Sequence, residues 1–533
     1  MSKTVSKSSA NSRTSSWWQP LLAFTALAAL GITAASYVFQ QGWTLWYGDA
    51  QAHLTVARRM IDSRTPGWEQ VGTVWLPLTH VLMLPFVGDE DGWERGLAGV
   101  YPAVTAFILA GTFLFLALRR LSGSNLCAAA GLAVFALNPN LLYLQSIPMT
   151  ESLVLAGVCG TFYFLTRFAD KPSLVSVVWA AVFATVGTMT RYEAWFLLPF
   201  IALFFLAKGG AMRWKAALLF TFLAALAPLY WFAHNWWYNG DALEFYRGYY
   251  SAKMIYQRAL DQGMARYPGD HDWGKAWVQY REAVRLCLGL PLSWFGVIGL
   301  LAALAVLRRA WWAVIFVLLI PGFYVLSIYS SGTPIHVPHL WPHSWYNTRY
   351  GLNALPLAAL GVATLCAAVP TRLRAIMATV VVAGAITPWL LDRTPEAWIT
   401  WKESQVNSVG RRAWTRAAAL YLGDNYNLGD GIFSTLGDLA GIYREAGIPL
   451  RETLNEGNGP LFLATVARPD LFLSQKWAVA ISGDKVATAI LRAQRNGPRY
   501  ERVRMFAEKN SPVIEVYRRI HEHPIHQGAR TAQ

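Results

Sequence analysis

Charge is scarce in this chain. Only 14% of its 533 residues are Asp, Glu, Lys or Arg, against 54% that are hydrophobic. Soluble domains carry roughly 25% charged residues, so the deficit excludes an ordinary soluble enzyme and points to a polytopic membrane protein. Cysteine is scarcer. Cys127, Cys159, Cys287 and Cys366 are scattered, three of them in apolar runs. That excludes a disulfide framework and a Cys-x-x-Cys metal site. Gly-rich phosphate loops are missing too: Gly423-Asp424 and Gly429-Asp430 form no Gly-x-Gly-x-x-Gly or P-loop. No RNA- or DNA-binding motif occurs, so nucleic acid is not expected as a partner, although the formal charge is +15.

What is present is a series of long apolar runs. The first covers residues 17–40, enough for the ~20 residues that cross a bilayer. It is too long for a signal-peptide core, so it reads as a retained span after a polar, basic tail at residues 1–16. Further candidate spans lie at 97–118, 125–143, 151–168, 173–190, 194–207, 215–233, 289–307, 310–329, 350–369 and 374–391, which makes about eleven. The connections alternate. One set is short and basic: Arg119-Arg120, Lys171, Lys208 with Arg213 and Lys215, Arg308-Arg309, and Arg372 with Arg374. The other is long and rich in Trp, Tyr, His, Pro and acids: 41–95, 138–150, 234–288 and 330–349. Every basic loop falls on the side of the basic N-terminus. The positive-inside rule then puts that side in the cytoplasm and accounts for the net charge. The expectation is a helical transmembrane domain over 17–395, with its first outer loop at 41–95, in the plasma membrane. An extracytoplasmic α/β domain follows over 396–533. Its strands are expected at 431–435, 477–481 and 513–517, and its helices at 438–446 and 484–494. This last domain reads as a lid or an acceptor-docking unit.

The concentrated chemistry lies in the outer connections. Gly48 ends the first helix and Asp49 is placed to cap a new one, with His53 four residues on and Arg58 and Arg59 beyond. An acid at a helix N-terminus is held ionised by the backbone dipole, as a general base must be. Capping and catalysis are equal readings of this residue. Glu151 follows Pro148 at the outer start of a span, and Thr190-Arg191-Tyr192-Glu193 sits in a tight turn. His336, His339 and His343 lead into Asn347-Thr348-Arg349-Tyr350-Gly351. Ionisable residues near membrane depth are functional candidates by default. The alternative for each is an interfacial anchor, which is the favoured reading for Trp195, Trp341 and Tyr350. Arg191 and Glu193 can also pair with each other across the turn. The three histidines have spacings that suit zinc, but Pro338 and Pro342 make their segment a loop, so substrate hydrogen bonding or plain interface chemistry is the better reading. A carboxylate base, outward arginines and an aromatic rim are what transfer from a lipid-linked phosphate requires. Arginine grips phosphate oxygens in a planar fork, and the carboxylate takes the proton of an acceptor hydroxyl.

These motifs resemble the GT-C superfamily of polytopic glycosyltransferases, which use polyprenyl-phosphate-linked donors on the outer face. The resemblance rests on Gly48-Asp49 ending a span, the long first outer loop, Glu151 after Pro148, Thr190-Arg191-Tyr192-Glu193, and Asn347-Thr348-Arg349-Tyr350-Gly351 entering a late span. Within it the chain looks most like the protein O-mannosyltransferase and aminoarabinose transferase branch. The resemblance implies an inverting glycosyltransferase of the hexosyltransferase type. Asp49 would be its base, with His53 and Glu151 beside it. Arg349, joined by Arg58, Arg191 and Tyr350, would hold the donor phosphate. Glu193, His339, His343 and Asn347 are the expected substrate contacts. The donor partner would be a polyprenyl-phosphate sugar among membrane lipids, and the acceptor a protein, a lipid or a wall glycan. No cofactor is required by these residues, no metal ligand is assigned, and a divalent metal stays open. Many members carry Asp-Glu where this chain has Asp49-Ala50. Trp236-Trp237 is followed by Tyr238, so the Trp-Trp-Asp motif of oligosaccharyltransferases is absent and single-sugar transfer ranks first. The competing classes are a transporter or flippase, and a non-catalytic membrane scaffold.

Overall fold

The computed structural model describes residues 18–521, so the tail expected at 1–16 lies outside the described residues. The membrane part is helical. In chain order its main helices are α1 (Trp18–Gln40), α2 (Gly48–Arg59), α3 (Leu97–Ser122), α4 (Asn125–Ala136), α5 (Glu151–Asp170), α6 (Leu174–Thr188) and α7 (Glu193–Lys208). They continue with α8 (Arg213–Asn239), α9 (Trp273–Leu288), α10 (Leu290–Val306), α11 (Trp312–Tyr329), α12 (Leu355–Ala368) and α13 (Arg374–Leu391). Each of the eleven apolar runs carries a helix among the described residues. Among the described residues seven helical stretches are long and apolar enough to cross a bilayer, or eight if the α9–α10 pair is one span. The difference from about eleven is one of length. Helix α4 has 12 residues and α6 has 15. At 1.5 Å per residue, 12 residues reach about 18 Å, well short of a ~30 Å hydrocarbon layer. Helices α9 and α10 meet at 111°, at Gly289, whose φ of 79° suits the glycine there.

After α13 the chain makes one more long helix, α14 (Ile399–Asn425), and then a five-stranded sheet. Its strands are β1 (Ile432–Ser434), β2 (Thr453–Leu454), β3 (Trp477–Ile481), β4 (Arg499–Phe506) and β5 (Ile514–His521). The order is β2-β1-β3-β5-β4. β1 runs parallel to β2 and β3, with Phe433 opposite Ala478, whereas β5 is antiparallel to both β3 and β4. Helix α15 (Lys485–Asn496) covers one face, burying Val486, Ala489, Ile490 and Ala493 with Phe433, Ala478 and Ala480. The other face is covered from the membrane side. Trp414, Ala418 and Leu422 of α14 and Leu54 and Ala57 of α2 pack with Ile432, Trp477 and Val479. The helix that begins at Gly48 is therefore part of the core beneath the sheet. Burying its apolar stripe there, at ~25 cal/mol per Å², fixes it as no exposed loop would be fixed.

Candidate active site

Three backbone features converge on one point between the membrane helices and the sheet. The first is the start of α2. Tyr47, not Asp49, holds the N-cap position, and no side chain caps this helix. Asp49 is thus the second residue inside α2 rather than its cap, and its carboxylate is free to turn outward. The second feature is the tight α6–α7 turn. There Gly157 of α5 lies so close to α6 that a Cβ on it would sit 2.6 Å from the Gly187 nitrogen. This approach brings Arg191 beside the start of α5. The third is a 3-10 helix at Thr348–Ala354, entered through Asn347 in the left-handed region with φ of 57°. Asparagine tolerates that conformation. Gly351 presses this turn onto α9, where a Cβ would meet the Ala283 carbonyl at 2.4 Å.

The side chains form one ion network. Arg349, 5% exposed, pairs with Glu151 at 3.0 Å through Nε, with Glu403 at 3.4 Å through Nη1, and with Asp49 through Nη2. Arg191 pairs with Glu193 through Nε and lies 3.6 Å from Glu151 through Nη1. It also donates to the Thr150 hydroxyl at 3.0 Å. The Tyr324 hydroxyl donates to Glu193 at 2.7 Å and accepts from Asn353 at 2.9 Å. Tyr350 is buried between the two guanidiniums, 4.6 Å from Arg191 and 4.9 Å from Arg349. It is therefore part of the network and not the interfacial anchor favoured from its position in the sequence. Four acids face two arginines here, and every nitrogen of both guanidiniums has a partner. Only Asp49 reaches the outside: its side chain is 40% exposed, against 1%, 4% and 2% for Glu151, Glu193 and Glu403.

His53 is buried one turn along α2, but it takes a different partner from Asp49. Its Nδ1 lies 3.0 Å from Nε2 of His80, and its ring packs 4.2 Å from Trp75. Burial, with Arg191 and Arg349 nearby, pushes its pKa down to about 3, so it is neutral at ordinary pH. Asn347 is buried and donates its backbone N–H to Glu403. The remaining predicted residues stand apart from the network. Arg58 is bound to Asp62 at 3.0 Å and to the Val87 carbonyl at 2.8 Å. Asp62 in turn accepts the N–H of Leu450, so Arg58 fastens α2 to the sheet-bearing segment and is not placed at the cluster. His339 is exposed and pairs with Glu282 at 3.2 Å. His343 is exposed and faces the Pro338 carbonyl. The three histidines of this loop do not converge. Among the described residues no three His, Cys, Asp or Glu side chains group as a metal site.

Sequence reasoning missed Glu403 and Arg411, both carried by α14. The Arg411 guanidinium is so close to Gly48 that a Cβ there would meet its Nη1 at 2.7 Å, and it pairs with Asp438 at 3.7 Å. Nothing in the polar stretch after the last apolar run marks either residue. The available signal was a helical pattern beginning at Ile399.

No curated protein matches the chain at a significant level. The profile of the family described as dolichyl-phosphate-mannose-protein mannosyltransferase matches residues 93–238. That stretch holds Glu151, Arg191 and Glu193 but neither Asp49 nor Arg349. The fold is similar to that of ArnT from Cupriavidus metallidurans in the apo state, with 13% identity, 92% of this chain and 98% of that chain covered, and a TM-score of 0.54. It is likewise similar to ArnT from the same organism bound to undecaprenyl phosphate, with the same identity and coverage and a TM-score of 0.52. At this identity the likeness is one of fold.

Proposed function

We propose, from the premise that this chain is a member of the GT-C superfamily, that it moves a sugar from a polyprenyl-phosphate carrier to an acceptor at the outer membrane surface. The observation that carries this reading is the exposed carboxylate of Asp49, ion-paired to a buried arginine whose other partners are buried acids. A base must meet an acceptor hydroxyl, and of the four acids only Asp49 is open to one. A donor phosphate approaching Arg349 competes with Asp49 for Nη2, because Glu151 and Glu403 are locked in. Exchange at that nitrogen seats the phosphate and frees the base in one event. The acceptor hydroxyl then gives its proton to Asp49 while its oxygen bonds to the anomeric carbon. The bond from that carbon to the phosphate oxygen breaks, and the leaving lipid phosphate takes the electron pair. Arg349, with Arg191 behind Tyr350, stabilises the charge it gains. One displacement inverts the anomeric centre. The family profile and the polyprenyl phosphate bound in the ArnT fold support the lipid-linked donor.

The test is native mass spectrometry of the purified full chain with undecaprenyl phosphate. The wild type and Asp49→Asn should bind the lipid, whereas Arg349→Ala should weaken binding at least about tenfold, the scale of a lost charge-assisted bond. Absence of binding by the wild type would remove the donor class and, with it, this reading.

A further inference from the structure

We propose that Glu403 is a positioning residue for Arg349, and that through it α14 ties the C-terminal domain to the phosphate-binding arginine. The inference rests on the transferase reading only for what Arg349 grips.

Glu403 is 2% exposed and uses both carboxylate oxygens. One accepts the backbone N–H of Asn347 at 2.9 Å and faces Nη1 of Arg349 at 3.4 Å. The other accepts the N–H of Thr348 at 2.8 Å and the Thr348 hydroxyl. Those two N–H groups belong to the entry of the 3-10 helix. A helix entry leaves its first N–H groups without intrahelical partners, and a carboxylate there is stabilised by the local dipole. Here the carboxylate comes from 54 to 56 residues further along the chain, not from a local cap. The same side chain thus sets the backbone that carries Arg349 and restrains one of its nitrogens. A guanidinium aims its exchangeable N–H groups only when its plane is fixed, so this second layer of bonds sets the direction of Nη2.

The helix that carries Glu403 is equally firm at this end. The N-terminus of α14 is anchored by Thr400, whose N–H and hydroxyl both bind the Asn140 side chain at 3.0 Å. Ser404 bonds the Tyr143 hydroxyl at 2.8 Å, and Trp401 packs on Trp43 and Trp46. The same helix then runs unbroken into the sheet core through Trp414, Ala418 and Leu422. From Glu403 to Leu422 it spans about 28 Å at 1.5 Å per residue. A shift of the sheet along this axis has no loop to absorb it before it reaches Glu403.

The experiment uses the full chain in detergent, with Glu403→Gln, the charge-keeping Glu403→Asp, and Thr348→Val, which removes only the hydroxyl bond. Hydrogen exchange over residues 346–350 is read first, without any lipid. The expected result is exchange at least about tenfold faster there in Glu403→Gln, with the sheet unchanged, and a smaller effect in Thr348→Val. Undecaprenyl phosphate affinity is read second. Glu403→Gln should lose about tenfold and Glu403→Asp should recover part of it. In an Arg349→Ala background the Glu403→Gln change should add nothing, whereas a general structural role would add its loss in full. Unchanged exchange at 346–350 overturns the proposal, as does additivity with Arg349→Ala. Faster exchange in a protein whose wild type binds no polyprenyl phosphate supports the positioning role and sinks the transferase reading alone.

Discussion

The two ends of α5 hold charge in opposite ways. At the Glu151 end the carboxylate is 1% exposed and shared between Arg349 and Arg191, inside a network of four acids and two arginines. At the Asp170 end a pair with Arg120 lies in the open, 57% and 36% exposed, next to Arg167 in the last turn of the helix and Lys171 in the basic connection. The same residue types do different work. Charge at the open end is solvated and screened. Charge at the closed end is desolvated, so removing any one partner leaves the others buried without compensation.

The comparison can be broken by four measurements, taken from the largest effect to the smallest. Asp49→Asn should lower the turnover of a lipid-linked sugar by about 10²–10⁴-fold, the usual range for removing a general base, while near-native unfolding temperature shows the fold intact. A residual rate near wild type would assign Asp49 to positioning. Arg349→Ala leaves Glu151 and Glu403 buried without their common partner. Chemical or thermal unfolding should show a loss of about 3–5 kcal/mol, as for other broken buried pairs. His53 sharpens the comparison through pH. Its folded pKa of about 3 lies below the unfolded value of 6.5, so the unfolded chain takes the proton first. The stabilisation is complete above pH 6.5 and is lost as pH falls toward 3, by on the order of 2 kcal/mol at pH 5. Wild type should therefore destabilise more steeply than His53→Gln between pH 6.5 and 4. Smallest of all, Arg120→Ala at the open end should move stability by less than about 0.5 kcal/mol. A loss comparable to that of Arg349→Ala would erase the distinction between the ends.

The part of the site visible in the sequence is the part that interrupts apolar runs. Asp49, Glu151, Arg191, Glu193 and Arg349 stand where a run ends or begins, and ionisable residues there are conspicuous. Their assembly follows from helices too apolar to lie anywhere but side by side. Glu403 was hidden because it stands among polar residues, where an acid is unremarkable until the chain folds back. Arg58 misled for a related reason: spacing along a helix gives its face but not the partner it meets, and Asp62 had the prior claim. In the C-terminal domain β1, β3 and β5 announce themselves by apolar runs. β2 has two residues and gives no pattern, and β4 carries arginines on its exposed face, so its alternation reads as a polar turn. The three histidines shared a spacing but not a direction, since the loop turns between them.

The scattered cysteines have a practical side. Cys127, Cys159, Cys287 and Cys366 are all reduced and fully buried. The native protein is therefore its own blank for impermeant thiol reagents. A single cysteine in place of Lys171 in a basic connection, or of Lys253 in a long one, would be the first thiol such a reagent meets. Sidedness of every connection, and of the sheet, can be mapped in intact cells on the unaltered background.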